Sequence, residues 1–347
     1  MKNQRIDVIA TSISGSISDW TKVKQIRPLL GKYGFDNVTL SVLDSHAAAR
    51  QKTSELIQNG SRTIISAGGS GTFGSVIEGC CDTDVNPTEI SVGFLRKGSA
   101  DVVGKALGMN DTIETAIDVL ADAITNDRTV PCDIIEVRAE NGNTSLRHVV
   151  GFSGAELFGE IPTYTENRFI KYYKGILGYL FGDLGPFTVG ITLAATGKIV
   201  RELFKARKRW QITVDDYRVA DNYYQALIIV NGDLGKDLPL ARNVPLGSGD
   251  FYLFALRDLG RFKLLGQITH AWNASILDDP DKWGMEIYRI QNSLELLPDR
   301  SPFYVNIDSL VMQCENAVKF NLTSQINLFA SVDVQMKTQE YFEAKER

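Results

Sequence analysis

The chain has 347 residues, enough for two compact domains of roughly 130 and 200 residues. Its 37 basic and 42 acidic residues leave a net charge of -5, which excludes a global field for nucleic acid, so any anionic partner must be met locally. The four cysteines, Cys80, Cys81, Cys132 and Cys314, lack the C-x-x-C spacing of a zinc or redox site and read as reduced, small apolar residues.

The polar start, Met1 to Arg5, has no apolar h-region and argues against secretion. It runs into a strand at 6–10, followed by a helix over 19–30, a period-two strand at 37–43, a helix over 45–58 closed by Gly60, and a buried strand at 62–67. A glycine-rich turn and a helix over 73–81 come next, then a strand at 89–95 and an amphipathic helix over 111–126 capped by Asp111. Such alternation predicts a mainly parallel sheet with helices on both faces.

Beyond Arg128 the texture changes. Short strands are expected at 132–139, 146–152, 211–214, 225–230, 250–256, 283–290 and 303–307, with helical blocks at 165–181 and 197–210. The fold class is therefore α/β: an N-terminal three-layer α/β domain over 1–128, an antiparallel β-sandwich-like domain over 129–335, and a charged tail over 336–347. The least polar long stretch, 184–197, holds Pro186 and is too short to span a bilayer. A cytoplasmic protein with at most peripheral membrane contact is expected.

The segment Gly68-Gly69-Ser70-Gly71-Thr72 carries the clearest chemistry. Three glycines in four residues, after a buried strand, let the backbone turn sharply and bring bare N–H groups against an anion, with the next helix aiming its positive end there. It is neither a Walker loop nor a G-x-G-x-x-G fingerprint, and the pentapeptide by itself also suits an ordinary strand-to-helix turn.

Order and spacing add specificity. Ile64 to Gly79, IISAGGSGTFGSVIEG, resembles the signature of diacylglycerol and sphingosine lipid kinases, in which a strand leads into Gly-Gly-Asp-Gly-Thr and a helix. Phe94 to Gly108, FLRKGSADVVGKALG, resembles that family's second motif, Pro-x-Gly-Thr-x-Asn-Asp-Phe-Ala-Arg followed by Leu-Gly. Thr11-Ser12-Ile13-Ser14-Gly15 resembles the Asn-Pro-x-Ser-Gly after its first strand.

The resemblance implies a kinase-like α/β domain, a β-sandwich-like domain, nucleotide in the cleft between them, and magnesium-ATP (Mg2+) as phosphoryl donor to a lipid hydroxyl. By that resemblance Gly68, Gly69, Ser70, Gly71 and Thr72 cradle phosphates, Gly98, Ser99 and Asp101 form the opposite lip, and Thr11 and Ser14 lie near the nucleoside. Arg96 and Lys97, just before Gly98, read either as cations facing the phosphates or as solvated strand-end charges.

The sequence also departs from the family pattern. Ser70 stands where the family has Asp, Asp101 and Val102 stand where it has Asn and Asp, and Asp308-Ser309-Leu310 replaces the late Asp-Gly-Glu. A serine hydroxyl can donate to a phosphate oxygen but cannot neutralise magnesium. Asp101 and Asp308 are the candidate catalytic acids that remain, each equally readable as a turn or cap acid. No metal ligand set is assigned. Alternatives are a nucleotide- or lipid-binding protein on this fold that lacks catalysis, and a soluble-substrate kinase related to NAD kinases.

His46, His148 and His270 are too scattered to predict a triad or metal cluster. Lys198, Arg201, Lys205, Arg207, Lys208 and Arg209, interleaved with apolar residues and followed by Trp210, read either as a basic amphipathic helix for an anionic membrane or as a helix with one solvated face.

Overall fold

The computed structural model describes residues 4–12, 18–96, 101–110, 112–141, 143–159, 208–260, 263, 266–267, 270, 275–308 and 310–346. They fall into two compact units, one within 1–134, 243–248 and 324–347, the other within 135–242 and 249–323.

The first unit begins with β1 (Ile6–Thr11), α1 (Ser18–Gly31), β2 (Val38–Leu43), α2 (His46–Gln58), β3 (Thr63–Gly68), α3 (Ser70–Cys81) and β4 (Ser91–Arg96). A short α4 (Val102–Ala106) and α5 (Ile113–Thr125) follow. The strands pair in parallel in the order β4-β3-β1-β2. Every residue of β1 and β3 is buried, as the continuous apolar runs require of strands covered on both faces.

Residue parity assigns the layers. A Cβ on Gly68 would meet Thr72 of α3, whereas one on Gly93, beside Ile65, would meet Leu120 of α5. Gly68 and Ile65 point to opposite faces because they are three residues apart in a strand. Thus α3, with α2 packed on it, covers one face, and α5, with α1, covers the other. Gly79 allows α2 to approach closely, since a Cβ there would strike the Arg50 carbonyl and Thr53. Arg50 of α2 then fixes the pair, donating to both carboxylate oxygens of Asp82 at 2.5 and 2.6 Å and lying 3.4 Å from Glu78.

Helix boundaries shift by a few residues from expectation where capping decides them. The cap of α5 is Thr112, whose hydroxyl accepts the Thr115 N–H at 3.4 Å, and not Asp111. The helix after the glycine-rich turn starts at Ser70, so the loop is the first turn of α3 itself.

Among the described residues the strands of the second unit pair antiparallel. After β5 (Thr129–Asn141), which starts in the first unit, come β6 (Asn143–Val149), β7 (Phe152–Glu156), β8 (Arg209–Val214), β9 (Tyr217–Val230), β10 (Phe251–Arg257), β11 (Met285–Ile290), β12 (Ser293–Pro298), β13 (Phe303–Ile307) and β14 (Leu310–Cys314). β9 is long enough to serve two neighbourhoods: its first half pairs with β8, its second half with β7 and β10. The β8–β9 connection is two residues, Asp215 and Asp216, both at positive φ (46° and 68°), the twist a tight hairpin needs. Alternation along β8 sends Trp210, Ile212 and Val214 into a core shared with Ile229, Leu253, Leu296, Phe303 and Phe320.

The chain then returns. β15 (Val318–Phe329) pairs with β12 through its first residues and runs parallel to β4 at Asn327 and Leu328, giving the first unit a fifth strand. The last helix, α6 (Val332–Glu346), is tied to that unit by the Ser331 N–H on the Leu107 carbonyl and by Lys345, whose ammonium donates to the Ser248 carbonyl at 3.0 Å. The division therefore differs from a single cut at residue 128, and 336–347 is part of a helix of the first unit instead of a separate tail. Contacts formed by 243–248 and 324–347 late in the chain decide this.

The expected helix over 165–181 lies outside the described residues, as do Lys198, Arg201, Lys205 and Arg207 of the basic segment. At its end the helical expectation is corrected, because Arg209–Val214 is a strand. Lys208 donates to the Pro302 carbonyl at 2.7 Å and Arg209 pairs with Asp221 at 2.6 Å. Trp210 is fully buried, its indole N–H donating to Glu156 at 3.0 Å and its ring edge-on to Phe303. The period-two burial of the core strand outweighs the helical pattern there.

Candidate active site

In a parallel sheet every strand delivers its following loop to the carboxyl edge. Here β1 is followed by α1 on one face, and β3 by α3 on the other. The crevice between the ends of β1 and β3 is therefore the point where loops diverge, the place open α/β sheets use for ligands. Gly68 to Thr72 sits there.

The first turn of α3 accounts for most of its amides. The N–H groups of Thr72 and Phe73 donate to the Gly69 carbonyl at 3.0 and 3.1 Å. The Ser70 N–H donates to Asp101 Oδ1 at 2.8 Å. The Gly71 N–H donates to none of the described residues. No acidic residue lies in the first turn of α2 or α3, so the positive ends of both helices stay uncompensated within their own sequences.

Beneath the turn, the hydroxyls of Thr11 and Thr72 bond each other at 2.7 Å, both fully buried. Thr11 thus braces the loop from the end of β1. Phe73 stacks on Phe94 of β4 with centroids 4.4 Å apart, fixing α3 against the sheet. Asp101 is 4% exposed and stands at the N-cap position of α4 without a side-chain cap bond, its carboxylate reaching instead to the loop of the first motif.

The structure brings together Thr11, Gly68, Gly69, Ser70, Gly71, Thr72 and Asp101. Ser14, Lys97, Gly98 and Ser99 lie outside the described residues.

Asp308 belongs to the second unit. It sits at φ 43° after β13 with both carboxylate oxygens engaged: Oδ2 accepts the Val150 N–H at 2.9 Å, and Oδ1 accepts those of Gly151 and Phe152 at 3.1 and 2.8 Å. That arrangement staples a backbone turn.

Sequence reasoning missed His46. A Cβ placed on Gly71 would lie 2.7 Å from His46 Cε1 and 2.8 Å from Nε2, so the ring rests against the loop. The signal was available. Ser45 is a strong N-cap letter at the end of a strand, and the residue after it must stand on the same sheet edge as the glycine turn.

Elsewhere among the described residues, burial and neighbouring groups account for several shifted thiols and phenols. Burial, then Cys81 and Asp82, push the Cys80 thiol well above its ordinary range, and burial raises Cys314 to about 12, so both stay protonated. Tyr224 and Tyr288 both donate to Glu286 Oε2, at 2.5 and 3.0 Å; burial and that carboxylate push Tyr288 up to about 12 and Tyr224 higher still. Among the described residues no cluster of three or more His, Cys, Asp or Glu could hold a metal, and no helix is long and apolar enough to cross a membrane.

With this geometry in place, the chain can be compared with known proteins. Residues 5–137 match the family model of the diacylglycerol kinase catalytic domain. The chain is similar to a putative diacylglycerol kinase from Bacillus anthracis str. Sterne, at 17% identity and a TM-score of 0.68, covering 96% of this chain and 98% of that one. A second such structure from the same source aligns at 18% identity and 0.69, over 96% and 99%. An NAD kinase from Archaeoglobus fulgidus in complex with ATP aligns at 9% identity and 0.53, over 96% and 98%. No curated protein matches the chain. At these identities the structures establish the fold alone.

Proposed function

We propose that this chain is an ATP-dependent lipid kinase that phosphorylates a hydroxyl of a diacylglycerol-like or sphingoid lipid. The observation that carries the reading is the position of Gly68 to Thr72: the only turn among the described residues that joins a buried parallel strand directly to a helix N-terminus at the sheet's point of divergence. Phosphoryl transfer is governed by positioning and charge stabilisation, which such a cradle supplies through backbone N–H groups.

Asp101 fits a magnesium ion, because one carboxylate together with substrate phosphates is an ordinary magnesium ligand set. When bound, the ion supplies charge neutralisation on the phosphates. Asp101 would hold it, and by keeping hold of the Ser70 amide would align that charge with the first turn of α3. Ser70 then contributes an N–H and a hydroxyl. The basic run Lys198 to Arg207 would meet the anionic surface from which a lipid substrate is drawn.

A second reading has its own support. Both candidate acids accept backbone N–H bonds, Asp101 from Ser70 and Asp308 from three residues, which suits a protein that binds nucleotide without transferring phosphate. Incubation of the protein with labelled ATP, magnesium and a mixed lipid extract separates the two. Label in a lipid supports the kinase. Thermal stabilisation by ATP without transfer supports the binding protein, and label only in a water-soluble acceptor points to the chemistry of a soluble-substrate kinase. Neither stabilisation nor transfer overturns the nucleotide site itself.

A further inference from the structure

Two hydroxyls beneath the glycine-rich turn meet across 61 positions of sequence. Thr11 ends β1 and Thr72 is the third residue of α3, and their Oγ1 atoms lie 2.7 Å apart at 1% and 0% exposure. Burying either hydroxyl without a partner would cost more than an exposed one, so each accounts for the other's place in the core. The bond also sets a height. Two hydrogen-bonded oxygens stand closer than two methyl groups, which touch at roughly 3.5–4.0 Å. The pair therefore draws the first turn of α3 further onto the end of β1 than apolar side chains would allow.

Gly68 belongs to the same arrangement. Its φ lies outside the left-handed region, and what demands glycine is the fold-back of Thr72: a Cβ would stand 2.4 Å from Thr72 Oγ1 and 2.6 Å from its Cβ. The chain thus leaves β3 with Thr72 packed over the first glycine and tied to the neighbouring strand. Two residues before Thr72, the Ser70 N–H is held by Asp101 Oδ1 at 2.8 Å. Residues 70 and 72 are fixed from two directions, one by the second motif and the other by β1.

We propose that Thr11 is a positioning residue of the nucleotide site. Sealed under the loop, it acts through Thr72, holding the first turn of α3 at the height where the polyphosphate of a nucleoside triphosphate is received, a role that rests on reading Gly68 to Thr72 as the phosphate-binding turn.

The test measures binding of ATP, pyrophosphate and adenosine to the full-length protein by calorimetry, at a temperature where every variant is folded, with melting temperatures recorded alongside. Thr11→Val should weaken ATP and pyrophosphate about tenfold and leave adenosine unchanged, while Thr11→Ser, which keeps the hydroxyl, should bind within about twofold of wild type. Thr72→Val should reproduce the loss. In the double variant Thr11→Val/Thr72→Val neither hydroxyl is stranded by removal of the other, so the melting temperature should recover toward wild type while phosphate affinity stays at the single-variant level. A merely structural bond would move the two readouts together.

Unchanged ATP and pyrophosphate affinity in Thr11→Val overturns the proposal while leaving the nucleotide site intact. So does a proportionate loss of adenosine, which would make Thr11 a nucleoside contact, and so do additive losses in the double variant, which would break the coupling through Thr72. If the wild-type protein binds neither ATP nor pyrophosphate, the reading of the loop falls first and this inference with it.

Discussion

Two carboxylates in this protein do formally similar things in different surroundings. In the first unit, Asp101 takes the Ser70 amide at the start of a twelve-residue helix, and the neighbouring Gly71 amide donates to none of the described residues. In the second, Asp308 takes three amides with both oxygens and completes a turn between two strands. The Asp308 carboxylate is thereby part of the backbone's own hydrogen bonding, whereas Asp101 links the second motif to the first turn of α3. Chemical type alone does not distinguish these two surroundings.

The largest effect expected from this contrast is at Asp308. Replacing it by alanine strands three N–H groups in a buried turn, and the loss should reach about 3 kcal/mol or more, read as a shift in the urea midpoint. A stable Asp308→Ala protein that loses only phosphoryl transfer would break the comparison, because Asp308 would then be acting on substrate.

Asp101→Ala should cost much less stability, about 1 kcal/mol as for a lost helix cap, while lowering any magnesium-ATP-dependent transfer by roughly a hundredfold. Loss of stability comparable to that of Asp308→Ala, with transfer per folded molecule unchanged, would place Asp101 on the structural side as well.

The smallest effect concerns Asp215 in the β8–β9 turn. Burial there pushes its carboxyl up, but N–H bonds from Ser293, Gln291 and Asn292 outweigh this and hold it below the ordinary range. Its contribution is therefore fully present above the unfolded-state value and fades as pH falls through the lower folded value. Acid unfolding of Asp215→Asn should show a shallower loss of stability below about pH 4 than wild type, the range where unperturbed aspartate titrates. Identical acid profiles would remove Asp215 from the account.

Much of the first unit was legible in the sequence because its signals are local. Uninterrupted apolar runs such as Ile6 to Ala10 and Ile64 to Ala67 have to be covered on both faces, and glycine after the second run has to be a turn. The motif order at 11–15, 64–79 and 94–108 likewise pointed to the family that residues 5–137 match. What was hard to see depends on partners distant along the chain. β15 alternates weakly and is half exposed at its centre, so nothing local marks it as a strand that begins beside β12 and ends beside β4. Trp210 followed a basic helical pattern, and only Glu156, Phe303 and the core around them turn it inward.

The candidate site divides along the same line. The loop Gly68 to Thr72, its following helix and its neighbouring motif could be read from spacing, since backbone N–H groups at a helix start need no distant residue to exist. Which of those groups remain available was decided by tertiary structure: Asp101, 31 residues from Ser70, occupies one, and His46, from a separate strand-to-helix turn, faces another. The sequence by itself determined that a glycine-rich strand-to-helix turn would form, because glycine, strand and helix dictate it locally. The tertiary structure determined what stands around it, because parallel strands bring every following loop to one edge whatever their separation in the chain.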